Sequence, residues 1–354
     1  MSSIDVKISQ INSATSIIVL VLLCIAFAIG SIGLIFNVIV FTRPNLRREP
    51  CSLYFLSSTF FNLFFVFVII PVRILSNSFN ISMSNYNAEL CKIEIFAFYS
   101  VRSISCWLIA MACIDRYLHS SANANIRRLS SLKTAKIIIA SVIIIILILY
   151  SHMMVYLNIQ ETLNRFGTIS YSCNFYNSTY RTFMSFWYMT FYSLFPSCLM
   201  ILFGCFTMNN IRKRRQIVSV SNENNRIIRR TDNQLLRMLV AQALVIIITT
   251  LPQTIYQIYA SFTMNLVKDT LRIAQENLAN KTSGGMTYFC HSTSFYLFTL
   301  SGSIFRRELY KFISQCCHVN RTRVNIFRSE MNQMSTLTKN RRITGIKNTL
   351  VRQS

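Results

Sequence analysis

The chain has 354 residues, 52% of them hydrophobic and 13% aromatic, with only 14% charged and a mean hydropathy of +0.41. A soluble enzyme of this length would carry about 25% charged residues, so the balance excludes an ordinary soluble domain and indicates a polytopic membrane protein. The formal net charge of +24 raises nucleic acid as a partner, but Lys and Arg collect in the cytoplasmic loops of membrane proteins, and no nucleic-acid partner is expected.

Residues 1–16 are short and polar and form the expected extracellular N-terminus. No cleavable signal peptide is expected, because the first apolar run is itself long enough to span. Seven segments reach spanning length, at 17–42, 51–75, 90–117, 133–157, 180–208, 233–261 and 284–304, the last weakened by Ser, Thr and Gly. Each meets the requirement of about 20 largely apolar residues.

The connections alternate in charge. Arg43, Arg47 and Arg48 follow the first segment, Arg127, Arg128, Lys133 and Lys136 the third, and Arg212 to Arg215 the fifth. Arg306, Arg307 and Lys311 follow the seventh. The remaining connections carry little net charge, so the positive-inside rule puts the N-terminus outside and the C-terminus in the cytoplasm. The sequon asparagines Asn80, Asn177 and Asn280 all fall in expected outside loops, as glycosylation acceptors must. Beyond residue 318 the chain is polar and basic and reads as a disordered cytoplasmic tail. The transmembrane domain is thus expected at 17–304, a short amphipathic helix at 305–317 and the tail at 318–354.

The stretch from Cys91 to Tyr117 organises the rest. As a helix rising about 1.5 Å per residue, the 25 steps from Cys91 to Arg116 cover roughly 37 Å. That exceeds a hydrocarbon core of roughly 30 Å by about a turn at each end. The cysteine would sit at one membrane face and Asp115-Arg116-Tyr117 at the other.

Seven spans, an outside N-terminus and Asp115-Arg116-Tyr117 closing the third span resemble the rhodopsin-like G-protein-coupled receptors over about 17–317. The resemblance implies an all-α membrane protein, a seven-transmembrane helix bundle with a short cytoplasmic eighth helix, at the plasma membrane. It implies an extracellular ligand and a heterotrimeric G protein as partners, and neither enzymatic activity nor a cofactor. Asn37 matches the family's first-span asparagine. Asn62 stands where the second span usually has Asp, so the family's sodium pocket is not expected intact. Pro71, Pro196 and Pro252 match the prolines of spans two, five and six, as kinks that membrane helices tolerate. Ser294 to Phe298 replaces the usual Asn-Pro-x-x-Tyr, Thr249-Thr250-Leu251-Pro252 replaces Cys-Trp-x-Pro, and the fourth span lacks its usual Trp. Cys316-Cys317 lie where palmitoylation often occurs, with ordinary cytosolic thiols as the alternative.

Cys91 and Cys173 are the cysteines near expected outside loops, where an oxidising compartment favours a disulfide over two free thiols. Arg116 requires a partner so close to a bilayer. Asp115 adjoins it, and Asp232, 20 residues before Pro252, falls roughly 30 Å along the sixth helix at the cytoplasmic end. An Arg116–Asp232 bridge would latch helices three and six. The alternative is that Asp232 supports a helix N-terminus within the capping box Thr231-Asp-Asn-Gln234.

Arg102 lies 14 residues before Arg116, about four turns away on the same face, at the level of a ligand pocket. A charge at that depth costs about 2.5–3.5 kcal/mol on insertion scales. Its partner is expected to be an anionic or carbonyl group of a ligand, or else Glu94 or cavity water, with Arg73 nearby. Phe98, Tyr99, Trp187, Tyr188, Tyr256 and Tyr259 are candidate pocket aromatics.

No phosphate loop, carboxylate pair or nucleophile elbow occurs, no cluster has metal-ligand spacing, and His119, His152, His291 and His318 are dispersed. The divergent sixth and seventh spans resemble invertebrate peptide receptors related to FMRFamide receptors, which implies a neuropeptide ligand. A small-molecule or chemosensory ligand is the second reading. A biogenic amine is disfavoured because the third span has no Asp at pocket level. A solute transporter or channel is the rival from another class, opposed by the absence of repeated halves.

Overall fold

Backbone in hydrocarbon must satisfy its own N–H and C=O groups, so long apolar runs become helices. The computed structural model describes residues 3–79, 81–163, 169–175, 178–217, 223–263, 266–301 and 305–315. Helix α1 is Ser3–Phe41, α2 is Pro50–Phe79, α3 is Ala88–Ser120 and α4 is Leu132–Ser151. An antiparallel hairpin follows, β1 Leu157–Leu163 and β2 Ile169–Phe175, with Leu157 opposite Phe175 and Ile159 opposite Cys173. Helix α5 runs through Thr179–Lys213 and α6 is Glu223–Phe262. Helix α7 comes in three pieces, Thr270–Met286, Phe289–Ser292 and Ser294–Ser301. Among the described residues, six helices, α1 to α6, are long and apolar enough to cross a membrane.

Local chemistry sets the starts. Asn87 caps α3 by accepting from the N–H groups of Glu89 and Leu90, and Ser131 caps α4 by accepting from Thr134. Pro50 occupies the first position of α2, where a missing N–H costs no helical bond. Two expected boundaries move. Helix α1 begins at Ser3, so the polar N-terminal stretch is continuous with the first span. Helix α7 begins at Thr270 and not near residue 284, because its first half is amphipathic and lacks the apolar run by which a span is recognised.

Pro71 and Pro196 act through the turn before them. Each ring removes a helical N–H and crowds the carbonyl four residues back. The backbone answers with a π-helical turn, Phe65–Ile69 ahead of Pro71 and Met189–Leu194 ahead of Pro196. Pro252 is accommodated inside continuous α6.

Helix α3 is central and packs on α2, α4, α5 and α6. Outward side chains are apolar, as in lipid: Ile137 and Ile148 on α4 are 67% and 66% exposed. Helix α1 closes on α2 and α7 at small residues, the usual device where lipid offers no hydrophobic drive between helices. A Cβ on Gly30 would lie 2.9 Å from both Ser292 Oγ and Val66 Cγ2, and one on Gly33 3.0 Å from Phe295 Cβ. Residues 306–315, within a second unit Arg306–Ser354, are helical, with Lys311 Nζ 2.9 Å from Glu308 Oε1.

Gly30→Val overpacks this junction at a cost of about 1–3 kcal/mol. The midpoint of thermal inactivation of detergent-solubilised protein should fall by several degrees. An unchanged midpoint would mean that α1 is free to move away.

Candidate functional site

The centre of the bundle is built around Arg102, which α3 buries to 3% exposure. Its Nη2 donates to the Tyr192 hydroxyl at 3.2 Å. Its guanidinium carbon lies 4.8 Å from the ring centres of both Phe98 and Tyr192, 5.5 Å from Tyr188 and 5.6 Å from Phe65. Phe65 and Tyr192 stand on the two π turns, so both proline-driven distortions present an aromatic to the same cation. Desolvated cation–π contacts are each worth about 2 kcal/mol, which offsets much of the cost of burying the charge. No carboxylate among the described residues forms an ion pair with Arg102, and its Nε is buried without a partner there. Glu94 bonds instead to Arg73, at 3.5 Å.

A hydrogen-bonded relay leads inward from this cation. The Tyr192 hydroxyl lies 3.1 Å from His291 Nε2, His291 Nδ1 lies 2.9 Å from Asn62 Oδ1, and Ser105 Oγ donates to the same Oδ1 at 2.6 Å. Ser58 Oγ lies 2.8 Å from Ser105 Oγ. Asn62 Oδ1 only accepts, so His291 carries its proton on Nδ1 and accepts from Tyr192 on Nε2. The donors then run in one direction, from Arg102 through Tyr192 and His291 to Asn62. Nearby, Asn37 Nδ2 donates to Ser294 Oγ at 3.0 Å, joining α1 to α7.

Toward the Cys91 end the bundle opens into a cavity of about 540 Å³. Arg73, Arg102, Arg181, Tyr256, Lys281 and Tyr288 are in its wall, and Cys173 to Phe175 of β2 form part of its lining. The Cys91–Cys173 disulfide fastens that strand to the first turn of α3, with the Cα atoms 5.6 Å apart.

At the opposite end of α3, Arg116 is 3% exposed. Its Nη2 lies 3.3 Å from Asp115 Oδ2 and 3.4 Å from Glu49 Oε2, at the cap position ahead of α2. Ser130 Oγ donates to Asp115 Oδ1 at 2.9 Å. The Tyr117 ring packs on Phe203 and Phe206 of α5.

The model of the 7 transmembrane receptor (rhodopsin family) matches residues 33–297, three quarters of the chain. The chain belongs to this family. No curated protein matches the sequence. The receptor is a multi-pass membrane protein of a family that signals through G proteins.

The structure sorts the expected site residues of the receptor. Arg73, Arg102 and Tyr256 line the cavity with Phe98, Tyr99 and Tyr188, whereas Glu94, Trp187 and Tyr259 do not. Trp187 packs among His152, Phe183 and Phe191, and the Tyr259 hydroxyl donates to Glu276. Asn280, expected on an outside loop as a glycan acceptor, lies within α7, where its Oδ1 accepts from Gln253 Nε2 at 3.2 Å. The early start of α7 is the reason, and an interhelical contact on a cavity wall is not an open acceptor loop. Asp232 lies on α6 with its side chain outside the described residues, as are Asn80, Asn177, Cys316 and Cys317.

Sequence reading missed Glu49, Arg181, Tyr192, Lys281 and His291. His291 precedes Ser294 by one helical turn and had a detectable signal, since a histidine within an apolar span requires a buried partner. Glu49 is the acid in an otherwise basic connection.

Tyr192→Phe removes the hydroxyl between Arg102 and His291 and leaves both buried groups short of a partner. The expected loss is about 1–3 kcal/mol of stability, seen as a lower midpoint of thermal inactivation. Tyr188→Phe, whose hydroxyl has no partner among the described residues, should lower it far less. Equal effects would show that the relay contributes nothing.

Proposed function

We propose that the receptor lies in the plasma membrane with its N-terminus outside and its C-terminus in the cytoplasm. There it takes an extracellular neuropeptide into the cavity beneath β2 and activates a heterotrimeric G protein at the Arg116 end. The basic connections all lie on the Arg116 side of the sequence, which supports this orientation. A disulfide at the Cys91 end agrees with an oxidising exterior. In this orientation Asn80 and Asn177 are outside, available to glycans, and Cys316-Cys317 are inside, available to acylation.

The observation that carries the reading is that one helix, α3, holds the walled cavity near one end and the buried Arg116 at the other. The ligand favours the state in which α6 moves away from Arg116 and opens a cleft for the G protein, to the extent that it binds that state more tightly. In the resting state Arg116 is held by Asp115 and Glu49, with Asp232 on α6 as a further proposed partner. The cavity volume lies within the usual range for small-molecule sites, about 300–1,000 Å³. That favours a small-molecule or chemosensory ligand as the second reading.

Two substitutions test the latch, read as G-protein activation at matched surface expression. Arg116→Ala should abolish activation altogether. Glu49→Gln should raise basal activation by at most about fivefold, because an ion pair with one partly exposed member is worth about 0–1 kcal/mol. If Arg116→Ala signals normally, the coupling role of this end is wrong. If Glu49→Gln lowers basal activity, Glu49 stabilises the active state.

A further inference from the structure

The charge on the cavity wall constrains the ligand more sharply than its volume does. Four cationic side chains line it, Arg73, Arg102, Arg181 and Lys281, and among the described residues no Asp or Glu does. Arg73 has a counter-ion in Glu94. Arg102, Arg181 and Lys281 form no ion pair with a carboxylate among the described residues. Glu276, on α7 near the same end, is already taken, by Lys268 Nζ at 2.6 Å and Arg272 Nε at 3.1 Å. Arg102 adds an independent sign: it is 97% buried, lines the cavity, and keeps a buried Nε with no partner among the described residues.

The aromatic cage explains how Arg102 survives without an anion, because ring faces stabilise a desolvated guanidinium. It does not neutralise the charge. Three cations with no carboxylate partner among the described residues focus a positive potential into the cavity. An anionic group entering there gains charge-assisted hydrogen bonds, which are roughly twice as strong as neutral ones. A cationic group meets like charge with no carboxylate to receive it.

We propose that the ligand carries an anionic group, a carboxylate, sulfate or phosphate, seated against Arg102, Arg181 and Lys281. The proposal rests on the cavity being the ligand site. It assigns the ligand a chemical class opposite to that of basic, C-terminally amidated peptides such as those ending in Arg-Phe-amide. The anion is contributed either by an acidic peptide or a free peptide C-terminus, or by a small organic acid.

The test is affinity selection on purified full-length receptor in lipid nanodiscs, without a G protein. One arm is a pool of short synthetic peptides, each made as free acid and as amide and spanning acidic to basic composition. The other is a pool of small aromatic carboxylates, sulfates and phosphates with their amine counterparts. Selection of acidic members is expected, with affinity falling about tenfold or more in Arg102→Gln, the loss that accompanies one charge-assisted hydrogen bond. Arg181→Gln/Lys281→Gln alters exposed or half-buried positions, so it keeps the test decisive if Arg102→Gln fails to fold, and should also weaken selection. Enrichment in the peptide arm identifies a peptide anion and enrichment in the other a small acid. Selection of basic or amidated members, selection indifferent to these substitutions, or no selection at all would overturn the proposal. Failure of G-protein coupling alone would not, because binding is read without the G protein.

Discussion

A guanidinium buried in the middle of a membrane protein, with no carboxylate beside it among the described residues, is the constraint on which the centre of this receptor depends. Arg102 is 3% exposed, and much of the cost of the charge is met by what the helices bring to it. Phe65 and Tyr192 come from π turns, Phe98 from one turn earlier on α3, and Tyr188 from one turn before Tyr192 on α5. The prolines are therefore more than kinks. Pro71 and Pro196 rotate the preceding turn by the extra residue of a π helix, and that rotation delivers the ring to the cation.

The relay behind Arg102 follows from the same constraint. The Tyr192 oxygen accepts from the guanidinium and its own O–H donates to His291 Nε2, while His291 Nδ1–H donates to Asn62 Oδ1. A carboxylate at residue 62 would reverse the economy of this arrangement by adding a negative charge and attracting a mobile cation. With Asn62 the centre holds a fixed cation on α3 and a neutral, fully directional chain of donors. Such a network is costly when broken, because each member is buried and depends on the next.

Much of the architecture was legible in the sequence because bilayer thickness translates directly into segment length. The first six spans could be read that way. The start of α7 could not, since Thr270 to Met286 is amphipathic and carries Lys281 and Asn280, and a search for apolar runs passes over such a helix. That single boundary explains why Asn280, expected on a loop, lies on a helix, and why Lys281 was absent from the expected pocket. Arg102 and Arg116 were legible because charge inside a span is rare enough to demand a reason. Asp115 was legible as a partner of Arg116, but Glu49 and the partners of Arg102 were not. Glu94 lies two turns from Arg102 on the same helix, yet it bonds to Arg73 on α2, a choice decided by helix packing and invisible to spacing along one helix.

In the proposed mechanism α6 links the two ends of the bundle as much as α3 does. On the cavity side α6 contributes Tyr256 and Gln253, and Gln253 is held by Asn280 and Ser283 of α7. One turn below, Thr250 meets Ser193 on the π turn of α5 beside Tyr192, and deeper still Gln242 reaches the Cys290 carbonyl next to His291. Any ligand that draws the cavity walls inward must therefore disturb contacts adjoining the relay on both α5 and α7. Pro252 lies among these contacts and leaves α6 without one helical hydrogen bond at that level. In the proposed mechanism the helix bends there, so that a small displacement at the cavity is amplified toward its other end. A ligand drives that motion only through affinity that differs between the two states.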